Sequence, residues 1–194
     1  MRRFFPVLLV LGLLALGYFL LPKGPHSFFG TRLLNPRPVD FVLEGPKGPV
    51  RLADLQEELV LIFFGFVRCP DVCPTTMLAL RRAYEALSPR ERARVQVIFI
   101  SVDPDRDPPH IADEYAKAFH PDFLGLTGSP EAVREVARSF GVYYQKTQFR
   151  SPEDYLVDHT ATTFVVHGGR LVLLFSPDKV EATERVVADL RALL

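Results

Sequence analysis

Two short runs, LVLIFFGF at 59 to 66 and VQVIFISV at 95 to 102, are apolar nearly throughout and of strand length. That pattern predicts strands buried on both faces. Elsewhere the spacing lengthens to a helical period. TTMLALRRAYEAL (75 to 87) sets Leu78, Leu80, Tyr84 and Leu87 among charged positions, and HIADEYAKAF (110 to 119) reads as a helix too. SPEAVREVARSFG (129 to 141) carries its own punctuation, with Ser129 as cap, Pro130 in the first turn and Gly141 at the end. VDFVL and PVRL on either side of EGPKG predict a short hairpin, and FLGLT a short strand. TTFVV and LVLLF around HGGR predict a second hairpin, followed by a closing helix over SPDKVEATERVVADLRALL. DPDRDPP (103 to 109) reads as a rigid loop, and residues 142 to 158 have no clear period and are expected to form a long loop. Strands alternating with helices, then a hairpin and a helix, predict an α/β domain whose mixed central sheet is covered by helices on both faces.

The N-terminus has another texture. Arg2 and Arg3 precede an uncharged, mostly apolar run from Phe4 to Leu21, just long enough to cross a bilayer as a helix. A signal peptide has a shorter core and a small-residue cleavage site behind it, whereas here the one such triplet, Ala15 to Gly17, lies inside the run. Residues 1 to 21 are therefore read as an uncleaved transmembrane anchor. The two arginines favour a cytoplasmic N-terminus, with the rest of the chain on the periplasmic or other extracytoplasmic side. Residues 22 to 38, containing Pro and Gly, read as a tether, and residues 39 to 194 as the folded domain.

Charge narrows the partners only by exclusion. With 23 basic and 23 acidic residues the chain has no net charge, and no basic stripe points to nucleic acid. Function has to come from a site.

The only two cysteines, Cys69 and Cys73, lie in FFGFVRCPDVCPTT, between the first buried strand and the first helix. Unpaired backbone N–H groups and the positive end of a helix dipole stabilise thiolates at such a junction. Three readings compete. A disulfide staple closing so short a loop is worth only about 2 kcal/mol by chain entropy. A redox-active pair resembles the thioredoxin layout, but the spacing is C-x-x-x-C and no proline stands between Tyr155 and the strand at 162 to 166. A soft metal is the third, since two thiolates favour Cu(I) and imidazole suits copper in either oxidation state. A closed zinc site would need four protein ligands.

A site of two sulfurs and one nitrogen suits Cu(I) and would take one histidine, and the chain has five. His26 lies in the tether, where a solvated side chain is expected. His110 and His120 flank one helix as surface residues, and His167 sits in the last hairpin turn. His159, in YLVDHT, ends the long loop and follows Asp158, a candidate outer-sphere partner. His159 and His167 cannot both serve, because eight residues of extended chain span about 25 Å. From these residues alone His159 is more readily a satisfied loop histidine than a ligand.

FFGFVRCPDVCPTT, ISVDPDRDPP and YLVDHT resemble, in that order, the three signature blocks of the Sco/SenC family of membrane-anchored copper proteins, with similarity over roughly residues 39 to 194. The resemblance implies a thioredoxin-like fold and one copper ion per chain, Cu(I) or Cu(II), held by Cys69, Cys73 and His159. It implies a metallochaperone that helps assemble the binuclear copper site of cytochrome c oxidase subunit II. The alternative within the family is a thiol-disulfide reductase that keeps the oxidase cysteines reduced, with Cys69 and Cys73 as its redox pair. A peroxidase-like use of one cysteine is a more distant third.

Arg68 stands where the family often has histidine, and a cation there is expected to lower the Cys69 pKa. HGGR replaces a more usual Pro/Asp turn. Asp71 is expected to shape the loop or contact a partner. Asp158 is expected to orient His159 or its loop, since carboxylate matches Cu(I) poorly. Asp103, Arg106 and Asp107 read as an ion-paired group that fixes their loop, and Met77 as core.

Overall fold

The structure is a computed structural model and describes residues 26 to 151 and 154 to 194. The expected anchor and the first residues of the tether lie outside the described residues. Among the described residues no helix is long and apolar enough to cross a membrane.

The two apolar runs are the centre of the molecule. Strands β4 (Leu59–Gly65) and β5 (Val95–Ser101) pair in parallel, from Leu59 opposite Val95 to Gly65 opposite Ser101. Every residue of β4 is buried, as a strand covered on both faces requires. Strand β6 (Leu124–Leu126) extends the sheet in parallel beyond β5, while β9 (Thr163–His167) lies antiparallel on the other side of β4. Strands β10 (Arg170–Phe175) and β1 (Thr31–Pro38) complete a six-stranded mixed sheet in the order β1-β10-β9-β4-β5-β6. A hairpin of β2 (Val42–Gly45) and β3 (Gly48–Arg51) is joined to it by a bridge between Glu44 and Thr127, just past β6.

Alternation along β4 sends neighbouring phenylalanines to opposite faces. Phe63 meets Phe99 of β5, which in turn packs on Tyr115 of helix α3 (Pro109–Phe119). Helix α1 (Val72–Glu85) lies on this same face, with Cys73 packed against Gly65. Phe64 meets Phe140 of α4 (Pro130–Phe140) and Phe164 of β9, so α4 covers the other face. Between α1 and β5 runs one turn of helix, α2 (Pro89–Arg92), closed by a capping box between Ser88 and Glu91. The expected α/β architecture, a mixed central sheet flanked by helices, is the one observed. Helix α3 seats directly on β6, where a Cβ at Gly125 would come within 2.0 Å of the Ala112 carbonyl oxygen. Only glycine permits that approach.

Three segments differ from expectation. Residues 31 to 38, read as tether, are the edge strand β1, antiparallel to β10 with a register shift between Arg32 and Arg37. Pro36 and Pro38 are compatible with an edge, where a missing N–H is not needed. Residues before β1 also contact the domain. The buried carboxylate of Asp189, in α6 (Thr183–Leu193), accepts hydrogen bonds from the Phe29 and Gly30 amides and pairs with His26 Nε2 at 2.7 Å. His26 is thus a partner of Asp189, not a solvated tether residue.

The expected loop over 142 to 158 instead contains strands β7 (Tyr144–Thr147) and β8 (Leu156–His159), paired antiparallel from Tyr144 opposite His159 to Thr147 opposite Leu156. The expected single closing helix is two, α5 (Pro177–Val180) and α6, because Ala182 leaves helical geometry between them.

Candidate metal centre

Three chain segments meet at the C-terminal end of β4. After Gly65 the chain turns through Phe66, whose carbonyl accepts the Cys69 amide at 3.2 Å, and enters α1 at Val72. Cys73 therefore falls in the first helical turn. Its amide donates to Cys69 Sγ at 3.4 Å, the helix-start interaction expected to favour a thiolate. A side chain at Gly65 would put a Cβ 2.8 Å from Cys73 Sγ, so the bare glycine makes the space that this sulfur occupies.

The third donor arrives on β8. His159 Nε2 lies 3.4 Å from Cys73 Sγ, and one ligand atom from each of Cys69, Cys73 and His159 lies within 4.8 Å of the others. His159 sits at the end of a paired strand, not on the long loop expected for it. Its Nδ1 is 3.1 Å from the Thr160 carbonyl oxygen, which can only accept. Nδ1 therefore carries the proton, and the Nε2 lone pair faces the sulfurs. Phe63 and Phe66 approach the imidazole edge-on, at centroid distances of 6.0 and 5.9 Å. These rings give the site an apolar wall. On its other side a cavity of about 430 Å³ opens over Cys69 and His159, between residues 70 to 72 and 156 to 158.

Both cysteines are free thiols. They divide their protons unequally. Hydrogen bonding from the Cys73 thiol, aided by the Asp71 and Cys73 amides, outweighs partial burial and pulls the Cys69 thiol down to about 4. The hydrogen bond that the Cys73 thiol gives to Cys69, together with burial, pushes the Cys73 thiol far up. At neutral pH the reduced, metal-free pair thus holds one thiolate, on Cys69, and one proton, on Cys73. Iodoacetamide should accordingly modify Cys69 at a rate nearly independent of pH from about 5.5 to 8, with Cys73 far slower throughout. A Cys69 rate rising tenfold per pH unit across that range, as for an ordinary thiol of pKa about 8.5, would contradict this assignment.

The second motif bolts both halves of the centre together. Asp107 accepts the Val67 amide at 2.9 Å and the Ser101 hydroxyl at 2.6 Å, which holds the turn leading to Cys69. Asp103 accepts the Tyr155 hydroxyl at 2.7 Å and pairs with Arg106. Arg106 donates to the Tyr155 carbonyl at 2.8 Å, and its guanidinium lies 3.6 Å from that ring's centroid. Tyr155 immediately precedes β8, so the DPDRDPP loop clamps the strand that delivers His159. The sequence pattern marked Asp103, Arg106 and Asp107 as loop-fixing but assigned Tyr155 no part. Its place at the start of YLVDHT was the only available signal.

The remaining expected contributors lie around this set. Asp71 occupies the N-cap position of α1 without a side-chain capping bond and, with Asp158, borders the open cavity; both are exposed. The expectation that Asp158 orients His159 is replaced by the Thr160 carbonyl, because alternation on β8 sends adjacent side chains to opposite faces. Arg68 is exposed, and the fall in the Cys69 pKa comes from hydrogen bonds rather than chiefly from this cation. The other histidines serve elsewhere. His167 meets Glu58 at 3.2 Å, and His120 packs on the rings of Tyr84 and Phe123.

Two sulfurs and one imidazole nitrogen in this arrangement can form one copper site, by the affinity of thiolates for Cu(I) and of imidazole for either copper state. Comparison with known proteins points to the same metal. A family profile described as SCO1/SenC matches residues 37–194. The chain is 38% identical over 141 residues to the mitochondrial SCO1 homolog 1 of Arabidopsis thaliana, covering 71% of this chain and 42% of that protein. The chain spans about half the length of the first curated relatives it matches. Among solved structures, apo Sco1 from Thermus thermophilus superposes with a TM-score of 0.82 at 73% identity, covering 89% of this chain and 100% of that one. ScoI of Bradyrhizobium japonicum, solved with copper bound, gives a TM-score of 0.71 at 35% identity, covering 81% and 99%.

Proposed function

Because the chain belongs to the SCO1/SenC family, we propose that it is a membrane-anchored copper metallochaperone whose cargo is one copper ion, bound by Cys69, Cys73 and His159 and passed to the binuclear copper site of cytochrome c oxidase subunit II. A relative of this chain is described as belonging to the Sco family of cytochrome c oxidase assembly proteins. The observation that carries the reading is the convergence of the three donors within 4.8 Å beside an open cavity.

The residues divide the work of holding and releasing a soft ion. Binding displaces the proton from Cys73, and the metal's charge then takes over the stabilisation of both thiolates. Thr160 keeps the Nε2 lone pair available, and the phenylalanine wall limits water. Half-exposed Cys69 lies toward the opening, where an incoming thiolate can replace it by ligand exchange, while buried Cys73 holds the ion from behind. The anchor over residues 1 to 21 would keep this exchange at the extracytoplasmic membrane surface.

The test is an anaerobic Cu(I) titration of the reduced protein against a competing chelator, followed by mixing with the apo soluble domain of subunit II. One tightly held copper per chain that moves to the subunit is expected. Copper that stays entirely with the chelator would overturn the reading.

The free, unequal thiol pair also favours a second one, a reductase of the oxidase cysteines. Cys69 thiolate would attack a target disulfide and form a mixed disulfide, releasing one target thiolate. With Cys69 Sγ in the mixed disulfide, the thiolate that accepted the Cys73 hydrogen bond is gone, so Cys73 can give its proton to the released target thiolate and attack Cys69 Sγ. That step releases the second target thiolate and leaves a Cys69–Cys73 disulfide. Retained reduction by His159→Ala, with inhibition by copper, would favour this alternative.

A further inference from the structure

A groove of about 590 Å³ lies beside the hairpin that delivers His159, lined by Arg134 and Arg138 of α4 and by residues 141 to 146. Its charge is one-sided. Arg134, Arg138 and Lys146 line it and, among the described residues, no carboxylate does, although the chain as a whole is neutral. The two arginines, four residues apart on one helix, share a face and are both exposed. Nearby groups only partly balance them: Lys146 pairs with Asp105 at 2.5 Å, and Arg134 and Glu131 act with opposite sign on the Tyr144 hydroxyl. Tyr143 completes the surface with a ring left 65% exposed. Arginine and exposed tyrosine together are the composition of protein-binding surfaces.

The groove is also wired to the metal centre. The Tyr143 amide donates to Thr160 Oγ1 at 3.1 Å, and the Thr160 amide donates to the Tyr143 carbonyl at 2.9 Å. Thr160 is the residue whose carbonyl fixes the His159 tautomer. Tyr144 lies directly opposite His159 in the β7–β8 register.

We propose that this groove docks a carboxylate-rich segment of the copper-receiving protein, bringing the recipient's ligands to the Cys69/His159 opening; the proposal rests on the copper-donor reading above. The groove's concave shape and its exposed tyrosine fit a peptide segment better than a flat anionic lipid surface. Docking by charge acts mainly on the encounter rate and weakens with salt. The groove should therefore set how fast copper leaves, not how tightly it is held.

The full chain in neutral-detergent micelles provides the test. A fluorescein-labelled hexaglutamate peptide should bind by anisotropy, and Arg134→Glu/Arg138→Glu should weaken that binding at least about tenfold. The same variant should keep the parent's copper affinity against a chelator yet pass copper to the subunit II domain about tenfold more slowly at low salt. Arg90→Glu, a reversal at an exposed residue of α2, should match the parent in all three measurements. Equal peptide binding by parent and double variant, no binding by the parent, or binding of phosphatidylglycerol vesicles in its place would overturn the proposal, as would copper transfer by the double variant at the parent rate. A parent that passes no copper at all would instead refute the donor reading, and the peptide arm would still decide whether the groove takes carboxylates.

Discussion

His159→Ala is expected to give a folded protein that binds Cu(I) at least about a hundredfold more weakly than the parent. Loss of an outer-sphere partner of a metal ligand costs about 10- to 100-fold in affinity, and loss of the ligand itself should exceed that. Two thiolates remain, so binding is weakened rather than abolished. In Cys69→Ser/Cys73→Ser, where only the imidazole is left, no copper should be retained against the same competitor. The fold should survive because His159 contributes no backbone-independent support to β8: the strand is held by its ladder to β7 and by the clamp on Tyr155. The imidazole does fill space beside Phe63 and Phe66, and its removal should cost about 1 kcal/mol, within the usual range for a single substitution. A competition titration and a thermal melt on the same sample check both halves. Parent-level copper affinity would remove His159 from the site, and an unfolded variant would show that the ring's packing role had been underestimated.

What could be read from sequence depended on how each segment meets solvent. Strands β4 and β5 were legible because burial on both faces demands uninterrupted apolar residues. Helix α4 was legible because Ser129, Pro130 and Gly141 mark its ends, and the structure shows Ser129 accepting the Ala132 amide and Gly141 in the left-handed region at φ 76°. Strand β1 was not, since its side chains are mostly exposed and it has no buried face to write a period. The β7–β8 hairpin stands apart from the main sheet and buries only Val157 of its eight paired residues, so alternation is absent there as well. The candidate site followed the same rule. Cysteines at a strand-to-helix junction announce themselves by chemistry, but His159 is carried by a hairpin without a pattern. Its role came from the YLVDHT resemblance, not from any periodicity. Tyr155 and Thr160 were illegible for a further reason: Tyr155 acts through a hydroxyl whose partner, Asp103, is distant in sequence, and Thr160 acts through a main-chain carbonyl, which no side-chain pattern reveals.

That distant wiring makes Asp103 the residue outside the donor set whose loss should matter most. Asp103 is buried, and its carboxylate holds the Tyr155 hydroxyl and the Arg106 guanidinium, itself only 7% exposed at the side chain. Asp103→Ala removes the carboxylate that this buried guanidinium pairs with. Breaking one side of a buried ion pair costs about 3–5 kcal/mol, far more than the intact pair contributes over an apolar replacement. For a domain of this size that corresponds to a melting temperature lower by roughly 10 °C. A second effect should appear well below the melt. With the Tyr155 hydroxyl and Arg106 released, the start of β8 loses its attachment to the loop, and His159 no longer presents Nε2 at a fixed place. Copper affinity should fall by about 10- to 100-fold, as for other losses of outer-sphere support. Tyr155→Phe separates the two effects, because it removes one hydroxyl bond, worth about 1 kcal/mol, and keeps the ring under Arg106. Its melt should stay within a few degrees of the parent while copper affinity falls by less than in Asp103→Ala. If Asp103→Ala melts with the parent and holds copper equally well, the clamp is dispensable, and the β7–β8 ladder alone places the histidine.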